Sequence, residues 1–312
     1  MGTNEILLFV LFNVFILLLL ALDLGVFHRK AHTVTIKEAV IWSIVWIVLA
    51  FVFNAGVFYF SGQQAGLEFL AGYLIERALS TDNIFVFLII FSYFGVPSHY
   101  QHKVLFWGVV GALVMRSVFI ALGATLIARF EWILYFFGVI LIVSGWKMMV
   151  KQEVEVHPDR NIFIRLAQKL FPVAPGYESP KFFLRKGGKL FITPLFLVLL
   201  TVETTDVVFA VDSIPAVFGV TRDPFIIYSS NVFAILGLRA MYFLLAGMMN
   251  SFAYLSHGLS LVLIFIGVKM LAESVIHVPI VISLSVVTAI LGVAIAASVV
   301  RNRRLARRNN AP

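Results

Sequence analysis

Apolar residues fill the chain in long blocks, and polar residues gather in a few intervals between them. Nine apolar runs can be marked, at roughly residues 6–27, 39–60, 66–94, 104–128, 132–149, 190–218, 225–249, 257–273 and 278–300. As a helix, a run of about 20 apolar residues crosses a bilayer core of about 30 Å. The pattern predicts an all-α, polytopic helical membrane protein with about nine transmembrane helices. The first run has no basic leader and no small-x-small cleavage site, so it is expected to be a span and not a removable signal. The long polar interval Lys147–Lys189 is expected to be a connector, with an amphipathic surface helix within "PDRNIFIRLAQKLFP".

A few polar positions recur in the same order inside the spans. "ERALSTDNIFVF" carries Glu76, Asp82 and Asn83, and "DVVFAVDSIPAVF" carries Asp206, Asp212 and Ser213 at the same spacing. Downstream, Arg116 in "LVMRSVFIALG" matches Arg239 in "LGLRAMYFLLAG". Lys147 in "VILIVSGWKMM" then matches Lys269 in "LVLIFIGVKML". Each set covers three spans. Three is odd, so the second unit crosses the membrane in the opposite sense to the first. An inverted repeat of three-helix units is predicted, residues 66–150 and 190–274. Around it lie an N-terminal two-helix segment (1–65), a cytoplasmic linker (151–189) and a last helix with a basic tail (275–312). Inverted repeats commonly place a substrate site near mid-membrane, where the units meet.

Composition agrees with the pattern: 61% of residues are hydrophobic and 13% charged, against roughly 25% charged in soluble domains. Mean hydropathy is +0.99. The chain has no cysteine, which excludes disulfides, thiolate metal sites and thiol catalysis. A net charge of +8 could suit nucleic acid, but its placement argues for anchoring at a bilayer. Arg29, Lys30, Lys37 and Lys103, nine basic residues in Lys147–Lys189, and the arginines after the last span fall in alternate loops. The positive-inside rule then puts the N-terminus outside and the C-terminus in the cytoplasm of a plasma (inner) membrane protein. The partners expected are the lipid bilayer and small ions, with no nucleic acid.

The acids define the candidate chemistry. On a helix, Glu76 and Asn83 fall within about 20° of one another, as do Asp206 and Ser213. Glu203 shares a face with Asp206, whereas Asp82 and Asp212 turn about 120° away from their partners if the helices are regular. Pro215 is expected to break its helix and free the carbonyl of Val211 beside Asp212. Each ionised acid at mid-bilayer costs about 2.5–3.5 kcal/mol. Glu76, Asp82, Glu203, Asp206 and Asp212 face only Arg77, Arg116 and Arg239, so two acids need protons or a cation. The donor set, Glu76, Asp82, Asn83, Glu203, Asp206, Asp212 and Ser213 with nearby Thr204 and Thr205, is all oxygen. Oxygen donors suit Mg²⁺, Ca²⁺ and Mn²⁺, and desolvated carboxylates can also carry protons as a counter-ion. The histidines His28, His32, His99, His102 and His157 lie in loops, so an imidazole site is not expected. A rival reading takes the acids and arginines as structural ion pairs in a membrane scaffold. Asp82 and Asp212 lack the Gly-x-Gly-Asp setting of an intramembrane aspartyl protease, and no enzymatic activity is expected.

The stretches "GYLIERALSTDNIFVF", "TVETTDVVFAVDSIPAVF", "SSNVFAILGLRAMYFLLAG" and "LIFIGVKML" together resemble the TerC family of integral membrane proteins, most closely its Alx branch. The resemblance runs over about residues 5 to 300. It implies a fold of the LysE-type transporter superfamily, divalent metal handling with manganese export foremost, and, by name, tellurium resistance. The family's acidic motif falls on Glu76, Asp82, Asn83, Glu203, Asp206, Asp212 and Ser213. Arg116 and Arg239 would then hold and release carboxylates between inward- and outward-open states. The family also includes members tied to membrane-protein quality control and secretion, so an accessory protein in assembly or stress response is the alternative.

Overall fold

The structure is a computed structural model that describes residues 3–27, 35–150, 161–177, 179–246, 254–276 and 278–309. Its helices are α1 (Thr3–Phe27), α2 (Ile36–Tyr93), α3 (Ser98–Arg129), α4 (Ile133–Val150), α5 (Ile162–Leu170), α6 (Pro194–Phe218), α7 (Pro224–Leu236), α8 (Leu238–Ala246), α9 (Leu255–Ala272) and α10 (Ile280–Asn309). The expected membrane spans all fall on helices, and seven helical stretches are long and apolar enough to cross a bilayer. The protein is a polytopic helical membrane protein. Among the described residues, the one departure from an all-α chain is a small hairpin, β1 (Phe183–Lys186) paired antiparallel with β2 (Lys189–Ile192). Gly187 and Gly188 form its two-residue turn with φ of 58° and 78°, the backbone that a Gly-Gly turn between twisted strands adopts most readily.

The runs at 39–60 and 66–94 form one 58-residue helix, α2, where a loop is expected between them. Gly62 reverses it, with φ 91° and ψ 172°, a conformation open to glycine because it has no Cβ. The two arms fold back on each other: Phe53 meets Phe69 at 5.4 Å between ring centroids, and Phe51 meets Tyr73 at 6.5 Å. One helix by hydrogen bonding is thus two antiparallel spans. The run at 225–249 departs in the other direction. It is interrupted at Gly237 into α7 and α8, and is described as far as Ala246.

Pro215 does not break α6, which continues to Phe218. The missing N–H leaves the Val211 carbonyl without its intrahelical partner, but Ser213 through Phe218 are all buried, and this packing on every side of the last turns keeps the chain helical through the proline.

The two units predicted from the repeat are interlocked. The second arm of α2 packs on α7, α6 packs on α3, and α4 packs along α9. A Cβ added to Gly267 would lie 2.6 Å from the Gly138 carbonyl oxygen, and one added to Gly145 would lie 2.7 Å from that of Ser260. The helices at this seam run antiparallel. The alignment that sets Lys147 over Lys269 also sets Gly138 over Ser260 and Gly145 over Gly267, so exchanging the units maps each of these contacts onto the other. Phe12, Phe53, Phe225, Tyr228 and Phe233 join α1 to α2 and α7 through a chain of ring contacts.

Candidate functional site

Four helices bring polar side chains to one point inside the bundle. Glu76 comes from α2, Arg116 from α3, Asp206 from α6 and Asn231 from α7, and all four are buried. Asp206 is the central residue of α6, so the point lies deep in that span. Arg116 grips Asp206 with a fork: Nη2 donates to Oδ1 at 3.0 Å and Nε to Oδ2 at 3.3 Å. Its Nη1 pairs with Oε1 of Glu76 and donates to Oγ of Ser213 and Oδ1 of Asn231, both at 3.3 Å. Asn231 Nδ2 closes the circuit by donating to Oε2 of Glu76 at 3.1 Å. Asn83 Nδ2 adds a bond to Asp206 at 3.4 Å, and Ser80 Oγ adds one to Glu76 at 3.4 Å.

The physical logic is charge compensation in a medium without water. A buried charge is tolerated when it is paired and its remaining donors and acceptors are satisfied. Bidentate guanidinium–carboxylate geometry is the strongest such arrangement. One guanidinium serves two carboxylates here, so with both acids ionised the cluster carries a net charge of −1.

The predicted site residues divide among several places. Glu76, Asn83, Asp206 and Ser213 gather around Arg116. Asp212 stands apart and accepts a hydrogen bond from Ser144 Oγ of α4 at 2.6 Å. Glu203 is half-buried against α3, where its carboxylate occupies the space that a side chain on Gly111 would fill. Asp82 lies in α2, and its side chain falls outside the described residues. Arg77 belongs to a different structure from the acid cluster. Its Nη1 donates to the carbonyl of Ala234 at 3.1 Å and lies against Gly237, so it caps the last turn of α7, where a cation is favoured. Arg239 is buried on α8, two residues past that break. Among the described residues, no three Asp, Glu or His side chains form a group able to hold a metal ion; in this arrangement Arg116 fills the centre.

Asn231 and Ser144 belong to the site on geometry, bonded to Glu76 and Asp212, and neither is in the donor set expected from the sequence. Their signal is faint, since one Asn and one Ser within apolar helices are common. Replacing Asn231 by leucine is expected to strip Oε2 of Glu76 of its described donor and cost about 1–3 kcal/mol. Chemical or thermal unfolding in detergent would show it, and an unchanged midpoint would contradict the assignment.

Two cavities lie at opposite ends of the α4–α9 pair. One, of about 670 Å³, is lined by Asn83, Ser144, Lys147, Asp212, Ser213 and Ser256 among apolar neighbours. The other, of about 370 Å³, is lined by Glu68, Thr221, Arg222, Lys269 and Glu273, beyond the C-terminal end of α6. Lys147 and Lys269, the matched lysines of the two units, thus line different cavities. Lys269 Nζ donates to the carbonyl of Gly219 at 3.1 Å.

Comparison with known proteins places this arrangement in context. Residues 61–306 match the integral membrane protein TerC family. The chain is 49% identical over 292 residues to an uncharacterized membrane protein of Myxococcus xanthus, covering 94% of this chain and 92% of that one. It is 47% identical over 289 residues to the Escherichia coli K12 protein described as "putative membrane-bound redox modulator Alx", covering 90% of each. A protein of the same description from Photorhabdus laumondii is 44% identical over 307 residues, covering 96% of each. No solved structure matches the chain.

Proposed function

The chain belongs to the TerC family of integral membrane proteins, and we propose that it is a transporter that exports a hard divalent cation, Mn²⁺ foremost, in exchange for protons. The observation that carries this reading is the buried Glu76–Arg116–Asp206 cluster, whose hydrogen-bond partners Asn83 and Ser213 line the larger of the two cavities together with Lys147 and Asp212. A transporter needs a site that is closed to both sides in one state and reached from either side in others. Antiparallel packing of matched helices, as at the α4–α9 seam, supports an inverted repeat able to rock between such states.

In this reading Arg116 stands where the substrate charge would go. Asp212, on the wall of the larger cavity, receives the ion first. The ion reaches Glu76 and Asp206 as the guanidinium withdraws, and protons replace it on the return. The oxygen donors at hand are hard ligands, suited to Mn²⁺, with Ca²⁺ and Mg²⁺ as competitors. The chain lies in the plasma (inner) membrane with its N-terminus outside and its basic tail in the cytoplasm. The Alx relatives are described as redox modulators; this chain has no thiol of its own, and movement of a redox-active metal is one route to such an effect.

Reconstituted protein supplies the test. Asp212→Asn is expected to lower Mn²⁺ flux into proteoliposomes at least tenfold with the fold intact, and equal flux in both proteins would sink the site assignment.

The saturation of Arg116 by protein partners favours a second reading, in which the cluster is a structural lock in a membrane accessory protein. The paired replacement Glu76→Gln with Asp206→Asn separates the two. Both readings expect the variant to be less stable, because Arg116 is left without an anion; a lock also predicts no Mn²⁺ flux by the parent protein, whereas a transporter predicts parent flux that the replacement abolishes.

A further inference from the structure

Helix α5 offers a surface that the acid cluster does not use. Its nine residues place Ile164 alone in the buried class, packed with Ile192 and Leu197 near the start of α6. The opposite side is strongly apolar and open: Ile162 is 75% exposed, Phe163 58%, Leu166 50% and Leu170 64%. On a helix these four fall within an arc of about 100°. Arg165 and Lys169, both exposed, follow at one edge of that arc. A soluble loop would rarely show four large apolar side chains together. An amphipathic helix lying in a lipid interface shows this composition, with basic residues beside the apolar face.

The position of α5 agrees. Asn161, its N-cap, accepts from the backbone N–H groups of Phe163 and Ile164 and donates to Oγ1 of Thr204 at 2.7 Å. Thr204 lies ten residues into α6, about 15 Å from Pro194 at 1.5 Å per residue. The whole of α6 is about 37 Å long, only about 7 Å more than a bilayer core. With α6 centred on the core, the N-terminus of α5 is therefore held about 11 Å inside it; from there α5 leads back towards the start of α6, where Ile164 packs on Ile192 and Leu197, and its open apolar face meets acyl chains.

We propose that α5 is an interfacial helix seated in the leaflet next to the basic connector, and that Arg165 and Lys169 bind the headgroup of an anionic phospholipid there. The apolar residues set the depth. The two cations give the preference, because anionic headgroups attract basic side chains at a membrane surface. Nothing in this proposal depends on what, if anything, the protein transports.

The absence of cysteine makes a direct test simple, since Leu166→Cys provides a single labelling position. The purified full-length protein, carrying an environment-sensitive dye there, is reconstituted into phosphatidylcholine vesicles doped with a low fraction of nitroxide-labelled phosphatidylglycerol or nitroxide-labelled phosphatidylcholine. The dye is expected to be shielded from aqueous acrylamide and quenched by nitroxides on the acyl chains. The phosphatidylglycerol label is expected to quench several-fold more than the phosphatidylcholine label, in line with about fivefold per basic residue. Adding Arg165→Gln and Lys169→Gln to the labelled protein is expected to equalise the two lipids and leave the shielding in place. Both substituted residues are exposed, and retained helical circular dichroism confirms that the variant is folded. A dye as open to acrylamide as its free cysteine conjugate in water would overturn the interfacial placement. Equal quenching by the two lipids before the substitutions would overturn the headgroup site.

Discussion

Replacing Arg116 with glutamine is expected to destabilise the folded protein by about 3–5 kcal/mol, the cost of breaking a buried ion pair by removing one partner. The reason is specific to the cluster. Arg116 supplies two donors to Asp206 and pairs with Glu76, and a glutamine amide can neither carry the charge nor span both acids. The loss should appear as a fall in melting temperature in detergent, with poorer recovery from the membrane. The compensated variant Glu76→Gln, Arg116→Gln, Asp206→Asn removes every formal charge from the cluster and is expected to regain most of the loss. A single variant as stable as the parent would mean that the guanidinium is not what holds the two carboxylates in the bundle.

The second large effect is expected at the α4–α9 seam. Gly267→Val places a branched side chain where even a Cβ would stand 2.6 Å from the Gly138 carbonyl oxygen, with Ile142 also in the way. The obstruction is backbone, so the helices must separate, and overpacking of this kind costs about 1–3 kcal/mol or more. Gly292 in α10 has nothing within 4 Å of a built Cβ, so Gly292→Ala is expected to be neutral or to stabilise by up to about 1 kcal/mol through helix propensity. Melting temperatures of the two variants side by side provide the measurement. If Gly267→Val melted with the parent, the tight seam would be wrong.

Sequence and structure agree most closely where the physics is periodic. Long apolar runs have one stable answer in a bilayer, a helix that satisfies its own backbone, so the spans could be placed within a few residues. Among the matched residues, Glu76, Arg116 and Asp206 meet inside the bundle, whereas Asp212 stands apart. What periodicity could not supply was the behaviour of single residues under packing. Pro215 has the local chemistry of a helix breaker, yet buried neighbours on α6 keep it in line. Gly62 carries no such mark, but its positive φ folds one helical run into two antiparallel spans. Charge counting found an excess of acids without showing which acids share a partner. Only the crossing of three helices brings Arg116 to both Glu76 and Asp206, and that crossing depends on long-range contacts. Asn231 entered the cluster the same way, from 155 residues along the chain.

The interlocking of the two units also sets a timetable for the growing chain. Glu76 is synthesised 40 residues before Arg116, and Asp206 arrives 90 residues after Arg116. At about 5–20 residues per second, the interval from Glu76 to Asn231 lasts roughly 8–31 s. During that time the first three-helix unit has neither α6 against α3 nor α7 against α2. Its unfinished polar face must wait at the insertion machinery, beside lipid or against another protein, until the second unit emerges. Folding of this bundle is a two-handed clasp, and the first hand is held open for about half of translation.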